Sequence, residues 1–362
     1  MHFHVSESLI CMGWSEDLAR RCQEIWTERT PPPGAAPARV VRQDRGSLVA
    51  RTADGLVAAH LAGRLSHEAI GPLDLPTIGD WIVVSATNPA IVHAVVPRTS
   101  LLARRAAGGT AKVQPLAANV DVALVVQPLD RAVNLRRIER TLTLVRDAGV
   151  TPVVVLTKAD VALEPTAAKR AAGVIAGASV FALGLQDPLG ALSRECLAPA
   201  RTAIMLGPSG AGKSTLANRL LGEDRLTVGD VRRRDAKGRH TTTHRELVVL
   251  ENGALLIDGP GIRELGLWAD EGAVADTFEE IHRLAQGCRF RDCEHHGEPG
   301  CAVREALARG ELDAGRLGSF QKLARESEYE ASRTDAALRL ERQRSARALS
   351  RAARAAVRRK RG

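Results

Sequence analysis

The chain has few aromatic residues and no long apolar run. Aromatic residues make up 3% of its 362 residues, although hydrophobic residues as a whole make up 44%. Its cores must therefore be built mainly from aliphatic side chains. No run of about 18 apolar residues occurs, so the sequence excludes a membrane-spanning helix and predicts no membrane partner. The first residues lack a basic stretch followed by an apolar one, and we therefore expect a cytoplasmic protein.

Acidic residues are almost absent from the last part of the chain. Residues 339–362 hold ten basic residues and one acidic residue, a balance that equals the whole formal net charge of +9. The rest of the chain is therefore neutral overall. This basic tail, taken as residues 333–362, favours nucleic acid or an anionic surface as a partner. The alternative is a solvated end that only aids solubility.

The first part of the chain divides into two regions. Residues 1–37 are polar and end in a run of three prolines and a glycine, which predicts a flexible lead-in. Residues 38–105 contain short apolar runs separated by turn signals, and this pattern predicts several short strands. An OB-fold barrel fits that length and often binds RNA or single strands. A barrel used only for packing is the alternative.

The middle of the chain has a different pattern. Residues 112–270 alternate apolar strands such as VDVALVV and PVVVL with helical periodicity, which predicts a sheet covered on both faces. Residues 271–332 look helical and surround a cysteine cluster. The expected fold class is thus multidomain α/β, with an N-terminal barrel, a central α/β domain and a C-terminal helical domain that carries the tail.

A phosphate-binding loop lies in the central domain. It follows the strand TAIML, opens the helix STLANRLLG, and shows the full G-x-x-x-x-G-K-S pattern in that context. Its backbone N–H groups and the helix N-terminus are expected to face phosphate oxygens. Lys213 should reach the β- and γ-phosphates, and Ser214 should ligate Mg²⁺. The loop residues are Gly207, Pro208, Ser209, Gly210, Ala211, Gly212, Lys213, Ser214 and Thr215.

A second element points to guanine. Thr157, Lys158, Ala159 and Asp160 end the strand PVVVL, at the edge where such sheets bind ligands. The Asp160 carboxylate can accept both the N1–H and the N2–H₂ of guanine, which adenine does not offer, and the Lys158 stem can cover the base. Thr157 stands where Asn is usual, and it cannot give the same amide bridging. Alone, the T-K-x-D pattern is weak evidence for guanine binding, but in a chain that also has a phosphate-binding loop it is strong evidence.

Two candidate switches follow. Asp258 and Gly261 match the D-x-x-G pattern, in which the Asp positions Mg²⁺ and the glycine N–H senses the γ-phosphate. A plain turn is the alternative. Thr241 or Thr242 should also reach Mg²⁺. Ile262 stands where many GTPases carry a catalytic Gln, and an apolar side chain cannot orient water, so intrinsic GTP hydrolysis should be slow. A partner or another residue must then assist hydrolysis, and His240 is the candidate residue.

The order of these elements is rotated. The guanine element at 157–160 comes first, then the loop at 207–215, and last the switches, whereas ordinary GTPases place the guanine element last. The same sheet can form from this order if the old chain ends are joined. The sequence therefore predicts a circularly permuted GTPase.

The cysteine cluster predicts a structural metal site. Cys288, Cys293, His295 and Cys301 supply three thiolates and one imidazole, a set that suits one closed tetrahedral Zn²⁺. His296 is adjacent and is an alternative ligand. Free reduced thiols are the competing interpretation.

Together these motifs resemble the circularly permuted small ribosomal subunit biogenesis GTPases, called RsgA or YjeQ. The resemblance covers about residues 38–330. The segments that carry it are LAANVD (116–121), TKAD (157–160), GPSGAGKST (207–215), GRHTTT (238–243), DGPGIRELGLW (258–268) and CRFRDCEH with EPGCAV (288–303). Thr157 for Asn and Gly259 for Thr or Ser depart from the family pattern.

The resemblance implies an OB-fold, a permuted GTPase domain and a zinc domain, in that order. It also implies docking on the small ribosomal subunit and its 16S rRNA late in maturation, with subunit-stimulated GTP hydrolysis to GDP and then release. A monomer is expected. A nucleotide-dependent RNA-binding module with little hydrolysis is the main alternative. A P-loop kinase or ATPase is disfavoured by Asp160, and a zinc enzyme by the four protein ligands.

Overall fold

The computed structural model describes residues 6–44, 47–105, 113–222, 245–258 and 277–325. The chain separates into two compact units. The first holds the described residues from 6 to 104 and from 113 to 258, and the second includes residues 277–325. The candidate residues His240, Thr241, Thr242 and Gly261 lie outside the described residues, as do Ile262 and the basic tail.

The barrel in the first unit is closed by five strands. β3 and β5 run parallel, the other pairs are antiparallel, and β4 pairs back with β1 to close the ring. Its interior is lined by small aliphatic side chains such as Ala38, Ala50 and Val92, as the shortage of aromatics requires. The strands are β1 (Ala36–Asp44), β2 (Ser47–Arg51), β3 (Leu56–Leu61), β4 (Trp81–Val84) and β5 (Ala90–Val95).

Two helices precede the barrel, where the sequence predicted a flexible lead-in. They are α1 (Glu7–Ile10) and α2 (Glu16–Arg29). The Ser15 hydroxyl caps α2 by accepting the N–H of Leu18 at 3.2 Å. Leu18 and Cys22, four residues apart on one helix face, are buried in the main core. The polar composition of this segment concealed the narrow apolar stripe that holds it in place.

A two-stranded sheet connects the barrel to the central domain, and a short helix lies within the barrel segment, between β3 and β4. The helix is α3 (Gly63–Glu68), which follows β3. The sheet pairs β6 (Leu101–Arg105) with β7 (Val113–Ala118).

The central domain is an α/β layer structure. Its sheet has the order β10-β9-β8-β11-β13-β12, with the first five strands parallel and β12 antiparallel to β13. Both sheet faces are buried, since one contributes to the core with α4 and the other to the core with α6 and α7. The elements are β8 (Val122–Pro128), α4 (Leu135–Asp147), β9 (Thr151–Thr157), α5 (Pro165–Ala176), β10 (Val180–Leu183), α6 (Gly190–Cys196), β11 (Thr202–Leu206), α7 (Lys213–Leu221), β12 (Arg245–Val249) and β13 (Leu255–Asp258).

The barrel and the central domain share one sheet. β1 pairs with β12, with Arg42 opposite Glu246 and Gln43 opposite Arg245. The result is a continuous sheet of eleven strands. The barrel therefore occupies the edge of the central sheet that β12 would otherwise leave open.

The second unit is helical. It contains α8 (Glu279–Ala285), α9 (Ala302–Ala308) and a further helix, α10, described over residues 314–325. Phe278 packs edge-on against Phe320 at 5.6 Å, and the Arg316 guanidinium lies 4.5 Å from the Phe278 ring centre. In the parts of the chain that the structure describes, no helix has the length and apolar character needed to cross a bilayer.

Candidate functional site

The phosphate-binding loop connects β11 to α7 at the carboxyl edge of the sheet. A Cβ at Gly207 would lie 2.2 Å from the carbonyl oxygen of Val126, so only glycine fits between the two strands. Gly212 has φ of 82° and directly precedes α7. The loop thus brings its backbone and the positive end of α7 to one point, an arrangement that binds phosphate.

Lys213 lies folded back across this loop. Its ammonium donates to the carbonyl oxygens of Gly207 and Pro208, each at 2.7 Å. The positive charge is therefore held at the position that the loop encloses. A phosphate oxygen is a stronger acceptor than either carbonyl, because it carries a negative charge.

Thr157 connects the guanine element to the loop. Its buried hydroxyl donates to the carbonyl oxygen of Ala211 at 2.6 Å. The sequence suggested that Thr could not bridge as Asn does. The structure shows that the hydroxyl makes one such bridge, because β9 ends close enough to the loop for a short side chain to span the gap.

Lys158 is held by a partner that the sequence did not suggest. The residue has φ of 58°, and its ammonium lies 2.5 Å from an Asp130 carboxylate oxygen. The pKa of Asp130 is lowered, first by the Lys158 hydrogen bond and then by Arg131. Asp130 lies two residues after the end of β8, which is next to β9 in the sheet, so its position at a parallel strand end was the available signal.

Asp160 is oriented from the end of β10. One of its carboxylate oxygens accepts the N–H of Leu185 at 3.2 Å. Arg219 of α7 in turn donates to the carbonyl oxygens of Gly184, at 3.0 Å, and Asp187. The segment after β10 is therefore held between the guanine element and the phosphate-binding helix, a role that no motif in the sequence indicates.

Ser214 and Asp258 come from neighbouring elements at the same edge. Ser214 is the second residue of α7, and Asp258 ends β13, which runs parallel to β11. A hydroxyl and a carboxylate are oxygen ligands of the kind that Mg²⁺ prefers. The donor set therefore fits a magnesium ion at the phosphate-binding loop.

The second unit brings the four predicted metal ligands together. Their ligand atoms all lie within 4.8 Å of one another. The His295 Nδ1 lies 3.4 Å from the sulfurs of Cys293 and Cys301 and 3.7 Å from that of Cys288. A tetrahedral Zn²⁺ with bonds of about 2.3 Å to sulfur and 2.0 Å to nitrogen separates sulfur from nitrogen by about 3.5 Å. The cluster thus fits one metal ion with four protein ligands.

The two histidines of this segment have different surroundings. His295 is buried, and desolvation lowers its pKa, which favours the neutral imidazole that binds metals. His296 instead contacts Gln321 and Arg325. Desolvation, and then the thiols of Cys301 and Cys288, raise the pKa of Cys293 to about 12 when no cation offsets them. A bound cation reverses that effect, since it stabilises the thiolate.

The fold and these sites define a circularly permuted P-loop GTPase, because β9 with the guanine element precedes β11 and the phosphate-binding loop in the chain. Two solved structures share the fold. The crystal structure of YjeQ from Thermotoga maritima has a TM-score of 0.60 and 22% identity, and covers 81% of this chain and 98% of its own. That of YloQ, a circularly permuted GTPase, has a TM-score of 0.58 and 21% identity, and covers 81% and 95%.

Sequence comparison gives the family. A model of the RsgA GTPase matches residues 95–268. The small ribosomal subunit biogenesis GTPase RsgA of Opitutus terrae is 45% identical over 348 residues, which are 91% of this chain and 93% of that relative. The RsgA of Streptomyces avermitilis is 42% identical over 342 residues, 93% and 90% of the two chains. This chain belongs to the RsgA family, and it is a GTP hydrolase.

A model of the ABC transporter family also matches, over residues 194–348. That range includes the phosphate-binding loop, which both families use to hold a nucleoside triphosphate. It includes neither the barrel nor the guanine element. The near full-length RsgA relatives account for both of those parts, so they determine the assignment.

Proposed function

We propose that this GTPase binds the small ribosomal subunit late in its maturation, hydrolyses GTP to GDP and phosphate in response, and is then released. The observation that carries the proposal is the extent of the similarity. It covers more than nine-tenths of both this chain and the Opitutus terrae relative, which is named for small-subunit biogenesis. The alignment with this relative therefore includes the nucleotide site together with most of the rest of the chain.

The partner is a ribonucleoprotein, and two parts of this chain suit its RNA. The five-stranded barrel belongs to a class of fold that often binds RNA. The tail at 333–362 concentrates the net positive charge, which suits contact with phosphates of the 16S rRNA. We expect the chain to act as a monomer in the cytoplasm, where such subunits mature.

Several residues of the predicted nucleotide site have a specific proposed role. Lys213 would leave the loop carbonyls for the β- and γ-phosphates, and Asp160 would accept from the guanine edge. Mg²⁺ offsets negative charge on the phosphates, and Ser214, Asp258 and Thr241 or Thr242 would hold it. Gly261 would contact the γ-phosphate.

Hydrolysis needs a group that orients water. The apolar Ile262 cannot do this, so we propose slow intrinsic turnover that the subunit accelerates, with His240 as the candidate that assists. The second candidate function follows from the same residue. It is a nucleotide-dependent RNA-binding module that hydrolyses little GTP with any partner.

The deciding experiment measures binding of the full-length protein to purified small ribosomal subunits, and its GTP and ATP hydrolysis with and without those subunits. We expect strong stimulation of GTP turnover alone. Binding to the subunit without stimulation would favour the RNA-binding module. Absence of both binding and stimulation would contradict the proposal, while equal use of ATP would remove the guanine assignment.

A further inference from the structure

Three charged residues lie side by side across the junction between the barrel and the central sheet. Arg42 of β1 is directly opposite Glu246 of β12, and Glu246 is directly opposite Asp258 of β13. All three side chains are half-buried. Directly opposed residues of antiparallel strands project from the same face of a sheet. A barrel arginine is therefore in line with the aspartate assigned to Mg²⁺, with one glutamate between them.

The face that carries this row is the one that carries the magnesium ligands. Val248 and Leu256, two residues from Glu246 and Asp258, pack in the same core as Leu216 of α7. Side chains two residues apart in a strand share a face. Glu246 and Asp258 are thus on the α7 side of the sheet, and α7 also provides Ser214.

The charges of this row have consequences for a cation at Asp258. Opposed side chains have Cβ atoms about 5 Å apart, so Glu246 and Asp258 form a like-charged pair whose repulsion a cation relieves. Arg42 is one strand further away, about 10 Å from Asp258 by two strand spacings. The positive charge of Arg42 repels a cation at Asp258, whereas the negative charge of Glu246 attracts it. The repulsion is the weaker of the two effects, because a charge–charge interaction falls with distance.

We propose that Glu246 is a positioning residue that strengthens Mg²⁺ binding at Asp258, and that Arg42 of the barrel weakens it. The barrel then sets the affinity of the nucleotide site for its cation through strand pairing. This inference rests on the proposed role of Asp258 and goes beyond it. It gives the shared sheet a function that packing alone does not.

The test measures the Mg²⁺ concentration that half-maximally tightens binding of a non-hydrolysable GTP analogue to the full-length protein. Glu246→Gln should raise this concentration roughly fivefold, and Arg42→Gln should lower it roughly twofold, the difference following from distance and salt screening. The double variant should fall between the two single variants. A merely structural role would not shift the requirement in opposite directions.

Two control variants are available in the same elements. Glu251→Gln removes an exposed carboxylate from the turn of the β12–β13 hairpin, at the end away from Asp258. Arg51→Gln removes an arginine from β2, which pairs with β1 and β3 and not with β12 among the described strands. Both should keep the wild-type requirement for Mg²⁺.

The outcomes separate this inference from the role of Asp258. If Asp258→Asn greatly raises the Mg²⁺ requirement but Glu246→Gln and Arg42→Gln leave it unchanged, the inference is wrong and the magnesium site stands. If Asp258→Asn leaves the Mg²⁺ requirement unchanged, the assignment of Asp258 as a magnesium ligand is wrong. A shift of both variants in the same direction also overturns the inference. Should Glu246→Gln not fold, Arg42→Gln decides alone, since loss of structure does not tighten Mg²⁺ binding.

Discussion

Single side chains set the geometry of the predicted guanine element. The Thr157 hydroxyl is bonded to the phosphate-binding loop, the Lys158 ammonium to Asp130, and the Asp160 carboxylate to the Leu185 N–H. Three of the four residues of the element therefore have hydrogen-bond partners in other elements of the protein. Such preorganisation reduces the entropy that binding must overcome.

The first residue-scale prediction concerns the Thr157 bridge. Thr157→Val keeps the size of the side chain but leaves the buried carbonyl of Ala211 without its donor, at a cost of about 1–3 kcal/mol. We expect the affinity for both GTP and GDP to fall about tenfold, since the loop and the base element lose their link. Titration with a fluorescent guanine nucleotide measures this change.

Thr157→Ser is the matched control, because it keeps the hydroxyl and removes only a methyl group. It should bind nucleotide within about twofold of the wild type. Equal losses in the Ser and Val variants would show that the methyl group, and not the hydroxyl, matters. Thr157→Asn should retain binding if its amide reaches the same carbonyl.

How far the sequence predicts this pocket depends on chain distance. The residues of the phosphate-binding loop are contiguous, so their pattern is readable in one segment. Asp130 and Leu185 follow the ends of β8 and β10, and only the strand order brings them to Lys158 and Asp160 after β9. No local pattern encodes that order, which is why the sequence predicts the guanine element but not the residues that contact it.

At the scale of elements, the candidate metal cluster connects short helices of the second unit. Among the described helices of the second unit, α8 and α9 have seven residues each. Isolated helices of that length are not stable in water. Four ligands spread from Cys288 to Cys301 connect the segment between α8 and α9, so metal binding and folding of this unit should be linked.

The prediction is that one Zn²⁺ binds per chain and that Cys301→Ser releases it. Cys301 is buried among the other ligands, and a serine hydroxyl is a poor ligand for zinc. We expect loss of zinc, measured by atomic absorption, together with loss of helical signal in circular dichroism. Cys11→Ser changes an exposed cysteine outside the cluster and should keep both. A metal-free variant with unchanged helical signal would contradict the linkage.

The N-terminal helices show a limit of element prediction. Proline runs and polar composition dominate residues 1–37, and they led to the expectation of a flexible segment. α2 nevertheless has a capping serine, acidic residues in its first turn and a stripe containing Leu18 and Cys22. Those signals are local, but the apolar stripe is narrow and lies in a polar segment. They become decisive only because a core is present for the stripe to pack against.

At the scale of the molecule, one buried arginine joins the parts of the first unit. Arg39 of β1 donates to the carbonyl oxygens of Met12, Gly79 and Asn119 and to the Thr202 hydroxyl. These acceptors belong to the N-terminal segment, the barrel, the connection after β7, and the first residue of β11.

The surroundings of Arg39 also determine its charge. Its guanidinium lies 5.5 Å from the Trp81 ring centre. Burial lowers the pKa of Arg39 to about 10, and nearby Asp121 and Asp80 oppose that shift. The side chain therefore stays charged at neutral pH.

Arg39→Met tests whether this contact holds the barrel to the central domain. Methionine fills much of the space but leaves the buried acceptors without a donor, so we expect a loss of about 3 kcal/mol in the free energy of unfolding. Urea denaturation followed by tryptophan fluorescence measures this loss, because Trp14 and Trp81 pack together beside Arg39.

Arg51→Met is the matched control, since Arg51 is directly opposite Arg39 in β2 but is only half-buried. That control should lose less than about 0.5 kcal/mol. Equal losses of stability in the two variants would mean that positive charge on the barrel strands stabilises the fold, and that the hydrogen bonds of Arg39 to the neighbouring segments do not. A large loss for Arg39→Met alone would show that the barrel and the nucleotide domain depend on each other for stability, as their shared sheet requires.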